Sequence, residues 1–431
     1  MASSLADIAE IIMGQSPKSE TCNFEGRGLP LLNGPTEFGP HHPTPVQFTT
    51  DTRKSALPGD LLFCVRGSTT GRMNWADREY AIGRGIAAIR HKEDRELQPF
   101  VRAVIELGLL DLLAQATGST FPNVSVLQLA GLPTPSLDSD DQRAVAHVLG
   151  TFDEKVEMNR RMNETLEAMA GALFKSWFVD FDPVRAKAEG RNTRLPKAIS
   201  SLFPDSFEDF ELGKIPIGWR ATTLGAETER HGGRIQTGPF GSQLHASDYS
   251  VDGVPVVMPQ DISNRRVSTA RIARIKESDA ERLSKHCLQT GDIIYSRRGD
   301  VERHAQISTR ETGWLCGTGC LLVRMGPRWP SSMFMSLALD RPESRAWIAQ
   351  HAIGATMPNL NTGILSAVPL VVPPEKILRV FSRLVGPIEQ LISARNAESY
   401  TITLLRDSLL PKLISGDLRI PDAEKLVEAR V

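Results

Sequence analysis

The segment LPGDLLF at residues 57–63 is the clearest sign of the architecture, because a similar segment, QTGDIIY, occurs at residues 289–295. Both copies join a turn containing Gly-Asp to an apolar run, which predicts a buried strand after a tight turn. Further pairs follow in the same order: Arg-Gly at 66–67 and 298–299, Gly-x-Gly at 83–85 and 317–319, and Gly-x-Thr-x-Pro-Asn at 118–123 and 354–359. The period of roughly 235 residues is too long for a solenoid and predicts two copies of one domain, related by a pseudo-two-fold axis.

Each copy opens with a mixed part that contains both strands and helices. Short apolar runs bounded by Gly, Pro, Asn and Asp predict strands at 60–65 and 86–89 in the first copy, and at 254–258 and 292–295 in the second. Helical periodicity predicts shorter helices near residues 100–116 and 333–351. The predicted fold class is therefore α+β, with two homologous domains.

Each copy closes with a long helix of some 40 residues, which would be about 60 Å long. Seam residues at alternating steps of four and three are typical of a coiled coil. In a duplicated chain the two helices are expected to pack antiparallel. The seams are Val145, Leu149, Phe152, Val156, Asn159, Asn163, Leu166, Ala170, Leu173 and Trp177, and Ile377, Phe381, Leu384, Ile388, Leu391, Arg395, Glu398, Ile402, Leu405 and Leu409.

Both seams are polar near their midpoints, at Asn159 and Asn163 in the first helix and at Arg395 and Glu398 in the second. Antiparallel packing brings midpoints together, so we expect these four residues to face one another in one polar layer. Such a layer fixes the register at some cost in stability. The alternative is that they face solvent or a partner.

Composition limits the classes of protein that remain. The chain has 50 basic and 51 acidic residues, so a nucleic-acid ligand would require a local basic surplus or a partner that supplies one. No unbroken apolar run suits a membrane span, and the N-terminus lacks a secretory pattern, which together predict a cytoplasmic protein. The five scattered cysteines predict neither a disulfide framework nor a metal site.

Three segments resemble the specificity subunits of type I restriction–modification systems: LFKSWFVDFDPV at 173–184, ELGKIPIGW at 211–219 and LLPKLISG at 409–416. They are similar to that family's exit from its first long helix, its approach to the second recognition domain, and the end of its second helix. The resemblance, including the duplication, extends over nearly the whole chain. It implies target-recognition domains at 1–137 and 219–373, spacer helices at 138–180 and 374–416, a linker at 181–218 and a C-terminal tail at 417–431.

The resemblance also implies a function. Each recognition domain would read one half of a bipartite target in double-stranded DNA, while the helices set the spacing and dock two methyltransferase subunits. Translocase–nuclease subunits would complete the assembly. The methyl donor, ATP and magnesium would bind those partners, and this chain would hold no catalytic residue and no cofactor.

The sequence lacks the motifs of a base-flipping methyltransferase, a phosphate-binding loop and a hydrolase elbow. Two alternatives nevertheless stay open. One is a scaffold that joins proteins without reading a DNA sequence. The other is a free-standing nuclease or methyltransferase.

Base readout needs hydrogen-bonding side chains on loops that fit the major groove. Such side chains occur in the early glycine loops, after the duplicated strand and in the duplicated Pro-Asn turn. Each set has a structural alternative, as a simple turn, a solvated basic loop or a side chain bonded to its own backbone. The candidate DNA-binding residues are Gln15, Ser16, Arg66, Ser68, Arg72, Thr120, Asn123, Thr237, Ser242, Arg297, Arg298, Arg303, His304, Thr356 and Asn359.

Overall fold

A computed structural model describes residues 3–39, 41–116, 122–210, 213–269, 272–354, 356–418 and 422. The chain divides into two compact units. Unit 1 comprises residues 1–161 and 398–431, and unit 2 comprises residues 162–397. Among the described residues, none of the helices combines the length and apolar character that crossing a bilayer requires.

The first mixed domain and its long helix contain strands β1 (Ser3–Ser4), β2 (Ala9–Met13), β3 (Cys22–Asn23), β4 (Leu29–Leu32), β5 (Gln47–Thr49), β6 (Ser55–Ala56), β7 (Leu61–Cys64), β8 (Met73–Trp75), β9 (Tyr80–Ile82), β10 (Ile86–His91) and β11 (Pro133–Thr134), and helices α1 (Leu5–Ile8), α2 (Gln98–Ala114), α3 (Val126–Ala130) and α4 (Ser139–Phe178).

The rest of the chain contains helices α5 (Asp182–Ala188), α6 (Lys197–Ser200), α7 (Leu224–Arg230), α8 (Glu277–Arg282), α9 (Ser332–Asp340), α10 (Pro342–His351), α11 (Thr362–Ser366) and α12 (Glu375–Ser415), and strands β12 (Phe207–Phe210), β13 (Gly213–Pro216), β14 (Arg220–Thr223), β15 (Arg234–Thr237), β16 (Tyr249–Ser250), β17 (Val254–Val257), β18 (Ile262–Ser263), β19 (Arg266–Val267), β20 (Ala273–Ile275), β21 (Ile293–Ser296), β22 (His304–Gln306), β23 (Leu315–Cys316), β24 (Cys320–Arg324) and β25 (Pro369–Val372).

The duplication in the sequence is a duplication of sheet topology. Unit 1 contains an antiparallel sheet in the order β2-β10-β7-β8, and unit 2 contains an antiparallel sheet in the order β15-β24-β21-β22. The duplicated apolar runs form the matching strands β7 and β21, both fully buried. The helix predicted at 333–351 is broken into α9 and α10. The break falls at Pro342, whose missing N–H and ring end a helix and force extended backbone at Arg341.

A buried ion pair joins the start of the duplicated strand to its neighbour in both units. Arg90 donates two hydrogen bonds to Asp60, of 2.8 Å and 2.6 Å, and Asp60 also accepts the backbone N–H of Leu57 at 2.7 Å. Arg324 and Asp292 repeat this arrangement in unit 2, at 2.8 Å and 2.5 Å. The same carboxylate thus fixes the Gly-Asp turn and the pairing of two strands.

The long helices are part of the hydrophobic core of each unit. In unit 1, Phe152 of α4 and Leu409 of α12 belong to the same buried cluster as Phe63 of β7 and Phe100 of α2. In unit 2, Trp177 and Phe178 of α4 belong to one cluster with Phe381 of α12 and with Tyr295 and Phe334 of the mixed domain. Each mixed domain is therefore closed by segments of both long helices.

The helix segments run antiparallel within each unit. In unit 1, Asp153 contacts Arg406 at 2.6 Å and Asn159 contacts Glu398 at 2.8 Å, so numbers rise along α4 as they fall along α12. In unit 2, Asn163 contacts Asn396 at 2.9 Å, and the rings of Phe178 and Phe381 lie 5.0 Å apart. Both units thus follow the predicted orientation.

The polar residues pair differently from the predicted layer. Asn159 and Asn163 are buried, and Asn159 donates to Glu398, as the antiparallel arrangement predicted. Asn163, however, donates to the side chain of Asn396 and not to Arg395. Arg395 lies next to Asn396 on the helix and is half-buried. Asn396, which was not among the four predicted residues, thus takes part in the layer, because the buried face of α12 is rotated relative to the predicted seam.

This rotation is clearest at the apolar positions of α12 in unit 2. The predicted seam residues Leu384 and Leu391 are 44% and 47% exposed, whereas their neighbours Val385 and Ile392 are buried. A strict coiled-coil seam is a narrow stripe, but this helix also covers a domain core and therefore buries a wider face.

Parts of the segment predicted as a linker, residues 181–218, pack onto the core of unit 2. Val184 and Phe203 are buried, and the ring of Phe203 lies 5.1 Å from that of Trp177. The ring of Phe181 lies 5.4 Å from that of Trp219. The segment therefore contributes packing to the second domain and is not a bare connection.

We expect Asp60→Ala to lower the free energy of unfolding by about 3 kcal/mol, because it leaves the largely buried Arg90 guanidinium with only the more distant, exposed carboxylate of Glu10. The control is Asp51→Ala, which removes a more exposed partner of Arg53 and should cost less than about 1 kcal/mol. Urea unfolding of the whole chain measures both values. Equal losses in the two variants would contradict the structural role of the buried pair.

Candidate nucleic-acid interface

In unit 1, several predicted loops meet at one end of the β2-β10-β7-β8 sheet. The loop after β2 is attached by the N–H of Gly14, which donates to the carbonyl of Ile86 at 2.9 Å. The loop after β7 is attached by Gly67, whose N–H donates to Pro122 at 3.1 Å. Hydrogen bonds through the backbone thus gather Gln15, Ser16, Arg66, Ser68 and Asn123 at one edge.

Unit 2 builds the same edge with matching bonds. Gly238 donates to Cys320 at 3.0 Å, and Gly299 donates to Pro358 at 3.0 Å. The backbones of Arg298 and Asn359 form an isolated bridge, as do those of Arg66 and Asn123 in unit 1. The framework of the loop cluster is therefore duplicated, although most of its side chains differ.

Three candidate arginines hold the protein's own structure. Arg72 donates to the carbonyl oxygens of Pro35 and Phe38. Arg297 is half-buried and donates to the carbonyl of Leu360 at 3.3 Å, and Arg303 forms an ion pair with Asp300 at 2.5 Å. These guanidinium groups would have to give up existing partners to bind a phosphate or a base.

His304 is not at the interface, which corrects its prediction as a DNA contact. It is 2% exposed, its ring stacks on Tyr295 at 5.0 Å, and its Nε2 lies 3.2 Å from the carbonyl oxygen of Ser336. Burial, with a smaller contribution from the nearby positive charge of Arg265, lowers the pKa of His304 to about 3. The run of basic residues that led to this prediction did not indicate that the His304 side chain points inward from β22.

The duplicated arginines Arg66 and Arg298 differ in their side-chain partners. Arg66 is exposed and donates through Nε to the Oδ1 of Asn123 at 3.3 Å. Arg298 is also exposed, but within the described residues its side chain makes no hydrogen bond or ion pair. The Oδ1 of Asn359, the residue that matches Asn123, is buried without a hydrogen-bond partner among those residues.

The remaining candidates lie at or near the same edges. Gln15, Ser242 and Thr356 are exposed, and Ser16 and Thr237 are half-buried. Thr120 lies outside the described residues. Sequence reasoning missed Arg84, which is exposed between the two glycines of the duplicated Gly-x-Gly motif. That motif itself was the available signal, since its middle residue lies on a loop beside Ser16.

No group of three or more His, Cys, Asp or Glu side chains that could hold a metal ion occurs in the part of the chain that the structure describes. Cys316 and Cys320 are buried strand residues, and burial raises the pKa of both thiols. The groups that the two loop edges present are instead hydrogen-bond donors and the positive charges of exposed arginines.

The chain thus contains two α+β domains that carry the same framework of polar loops at one sheet edge. A family model described as the type I restriction modification DNA specificity domain matches residues 1–168. The type I restriction enzyme HindI specificity subunit of Haemophilus influenzae is 25% identical over 414 residues, covering 85% of this chain and 88% of that protein.

A second specificity subunit and a solved structure are also similar to this chain. The putative type I restriction enzyme MjaX specificity subunit of Methanocaldococcus jannaschii is 32% identical over 158 residues, which are 37% of each protein. The crystal structure of the type I restriction–modification S subunit from M. genitalium shares the fold, with a TM-score of 0.52, 17% identity, and coverage of 96% of this chain and 95% of that one. The chain is thus similar to type I restriction–modification specificity subunits over most of its length, and residues 1–168 match the DNA specificity domain of that family.

The buried His304 predicts a loss of stability in acid. The unfolded chain, with a histidine pKa of about 6.5, binds a proton that the folded protein excludes until about pH 3. We therefore expect its contribution to the free energy of unfolding to be complete above about pH 6.5. Below that, it falls by up to about 1.4 kcal/mol per pH unit.

Urea unfolding across this pH range, on the wild type and on His304→Phe, measures the contribution. The phenylalanine keeps a ring against Tyr295 but cannot titrate, so the stability of the variant should depend less steeply on pH. Parallel pH profiles for the two proteins would show that His304 is not the group responsible.

Proposed function

We propose that the two mixed domains each read one half of a bipartite target in double-stranded DNA. The observation that carries this proposal is the duplicated loop edge, in which the bonds from Gly67 to Pro122 and from Gly299 to Pro358 fix the same framework twice. Each framework presents an exposed arginine, Arg66 or Arg298, beside a Pro-Asn turn. Arginine can bind the guanine edge or a phosphate through its planar fork.

The long helices would hold the two domains at a set separation and so determine the gap between half-sites. Helix α4 and helix α12 each contribute buried residues to the cores of both units. A domain whose core includes the spacer cannot slide along it without exposing apolar surface. Each domain is therefore anchored to its own segments of the two helices.

We further propose that the helix pair docks methyltransferase subunits through an apolar stripe in unit 2. Met162 and Met169 of α4 are 39% and 57% exposed, and Leu384 and Leu391 of α12 are also exposed. Each of the four immediately precedes a buried residue of the helix pair, and equivalent flanking positions of antiparallel helices lie on the same side of the pair. Methionine and leucine at such positions favour an apolar protein partner.

The division of labour follows from the charge and chemistry of this chain. With a net charge of −1, the chain by itself lacks the basic surplus that usually supplies affinity for phosphates. We propose that methyltransferase subunits, and translocase–nuclease subunits when present, supply it. Methyl donor, ATP and magnesium would bind those subunits, in the cytoplasm where the chromosome lies, and this chain would remain non-catalytic.

Selection from a randomised duplex pool, using the chain assembled with its methyltransferase subunits, tests sequence recognition. We expect two specified segments separated by an unspecified gap. Arg298→Ala should weaken binding to the selected duplex by about 1–3 kcal/mol if the arginine binds a base. The control Arg303→Ala, which removes an exposed arginine already paired with Asp300, should cost much less.

A selection that returns no bipartite preference would contradict the proposal and favour a scaffold without sequence readout. Cleavage or methyl transfer by the purified chain alone would favour a free-standing enzyme.

Docking is tested by Leu391→Glu, which places a charge in the proposed apolar interface. We expect at least a tenfold loss of co-purified methyltransferase subunit, because an unpaired charge is costly to bury. The control is Leu110→Glu, at an equally apolar but more exposed position on α2. Retention of the subunit by Leu391→Glu, or an equal loss in both variants, would exclude this stripe as the docking surface.

A further inference from the structure

The loop Gly83-Arg84-Gly85 is a rigid turn that carries a single side chain. The N–H of Gly83 donates to Leu32 at 2.8 Å, and the N–H of Ile86 donates to Gly83 at 3.1 Å. A Cβ on Gly83 would lie 2.5 Å from the side-chain oxygen of Asn33, and one on Gly85 would lie 2.4 Å from the Asn33 carbonyl oxygen. A side chain at Gly85 would therefore clash with the backbone of Asn33, and one at Gly83 would have to displace the Asn33 side chain.

Arg84 lies among the candidate residues of the first domain. Its backbone N–H donates to the hydroxyl of Ser16 at 3.4 Å, and the neighbouring Gln15 is attached to Ile82 through a 2.9 Å backbone bond. The Gly-x-Gly loop and the loop after β2 therefore form one surface. Arg84 is exposed on it, and within the described residues its side chain has no hydrogen bond or ion pair.

In the second domain, the position that matches Arg84 has a side-chain hydrogen bond, and the position that matches Arg66 has none among the described residues. Thr318 takes the place of Arg84, and its hydroxyl donates to the carbonyl of Pro239 at 3.1 Å. Arg298 has no side-chain partner among the described residues, whereas Arg66, its counterpart, donates to Asn123. At these two matched positions, and within the described residues, the arginine without a side-chain partner is therefore Arg84 on the Gly-x-Gly loop of the first domain and Arg298 after the duplicated strand of the second.

We propose that Arg84 is the arginine through which the first domain contacts the duplex, by binding a guanine edge or a backbone phosphate. This inference rests on the proposed function. Among the described residues the Arg84 side chain has no bond to give up, so its five N–H donors can all turn to a ligand. Arg66 must break its bond to Asn123 before it can use its Nε, and its first role is to position the Pro-Asn turn.

The test uses the chain assembled with its methyltransferase subunits and the duplex selected by the wild type from a randomised pool. Arg84→Ala should reduce affinity at least fivefold, and the thermal unfolding of the assembly should be unchanged, because no internal contact is lost. The matched control is Arg78→Ala. It removes an exposed arginine that is paired with Asp77 just before β9, at the other end of that strand from Gly83, and should change affinity less than twofold.

Two further measurements distinguish the ligands. If Arg84 binds a guanine, selection with Arg84→Ala relaxes one position in one half-site, and Arg84→Lys also fails there because lysine lacks the fork. If Arg84 binds a phosphate, the selected motif is unchanged and Arg84→Lys retains most of the affinity. The slope of log affinity against log salt concentration then falls in Arg84→Ala by the amount expected for about one phosphate contact. Either result supports the proposal.

Wild-type affinity and an unchanged motif in Arg84→Ala would overturn the inference, as would a loss no greater than that of Arg78→Ala. These outcomes are distinct from failure of the proposed function, in which the wild-type assembly itself would select no bipartite motif.

Discussion

The structure depends on the burial of the long helices in the cores of the mixed domains. In unit 1, Phe152 and Leu409 come from two helices far apart in sequence, yet both pack with Phe63 of the duplicated strand. In unit 2, Phe381 of α12 likewise belongs to one buried cluster with Tyr295 of the duplicated strand. A mixed domain without these segments would expose a large apolar face, so folding of the domain and attachment to the helices are one event. The loop edge of each domain is therefore held firmly relative to its own helix segments.

The duplicated framework and the loop tips serve different purposes. The ion pair of Asp60 with Arg90 recurs as Asp292 with Arg324, and both pairs fix a turn and a strand register. The side chains displayed on the loops change between the copies, as where Arg84 is replaced by Thr318. A fixed framework with variable tips lets two related domains read different sequences without a change of fold.

Few positively charged groups at the candidate interface are open to a ligand, because most arginines near it already bind other groups of the protein. Arg72 and Arg297 bind backbone carbonyls, and Arg303 binds an aspartate, so each stabilises a loop instead of offering an open donor. The chain as a whole has 50 basic and 51 acidic residues, so it has no basic surplus to compensate for these occupied arginines. This supports an assembly in which specificity and overall affinity are contributed by different subunits.

The duplication, four of the strands and the bounds of the two long helices could be predicted from the sequence to within about two residues, because turn chemistry and apolar periodicity are local properties. The sequence did not determine which side of a helix or strand would be buried. Val385 is covered and Leu384 is exposed, since α12 packs against a domain as well as another helix. His304 is in the core, and Asn163 pairs with Asn396. Only tertiary packing decided these points, because burial and hydrogen-bond partners depend on residues that are distant in the chain.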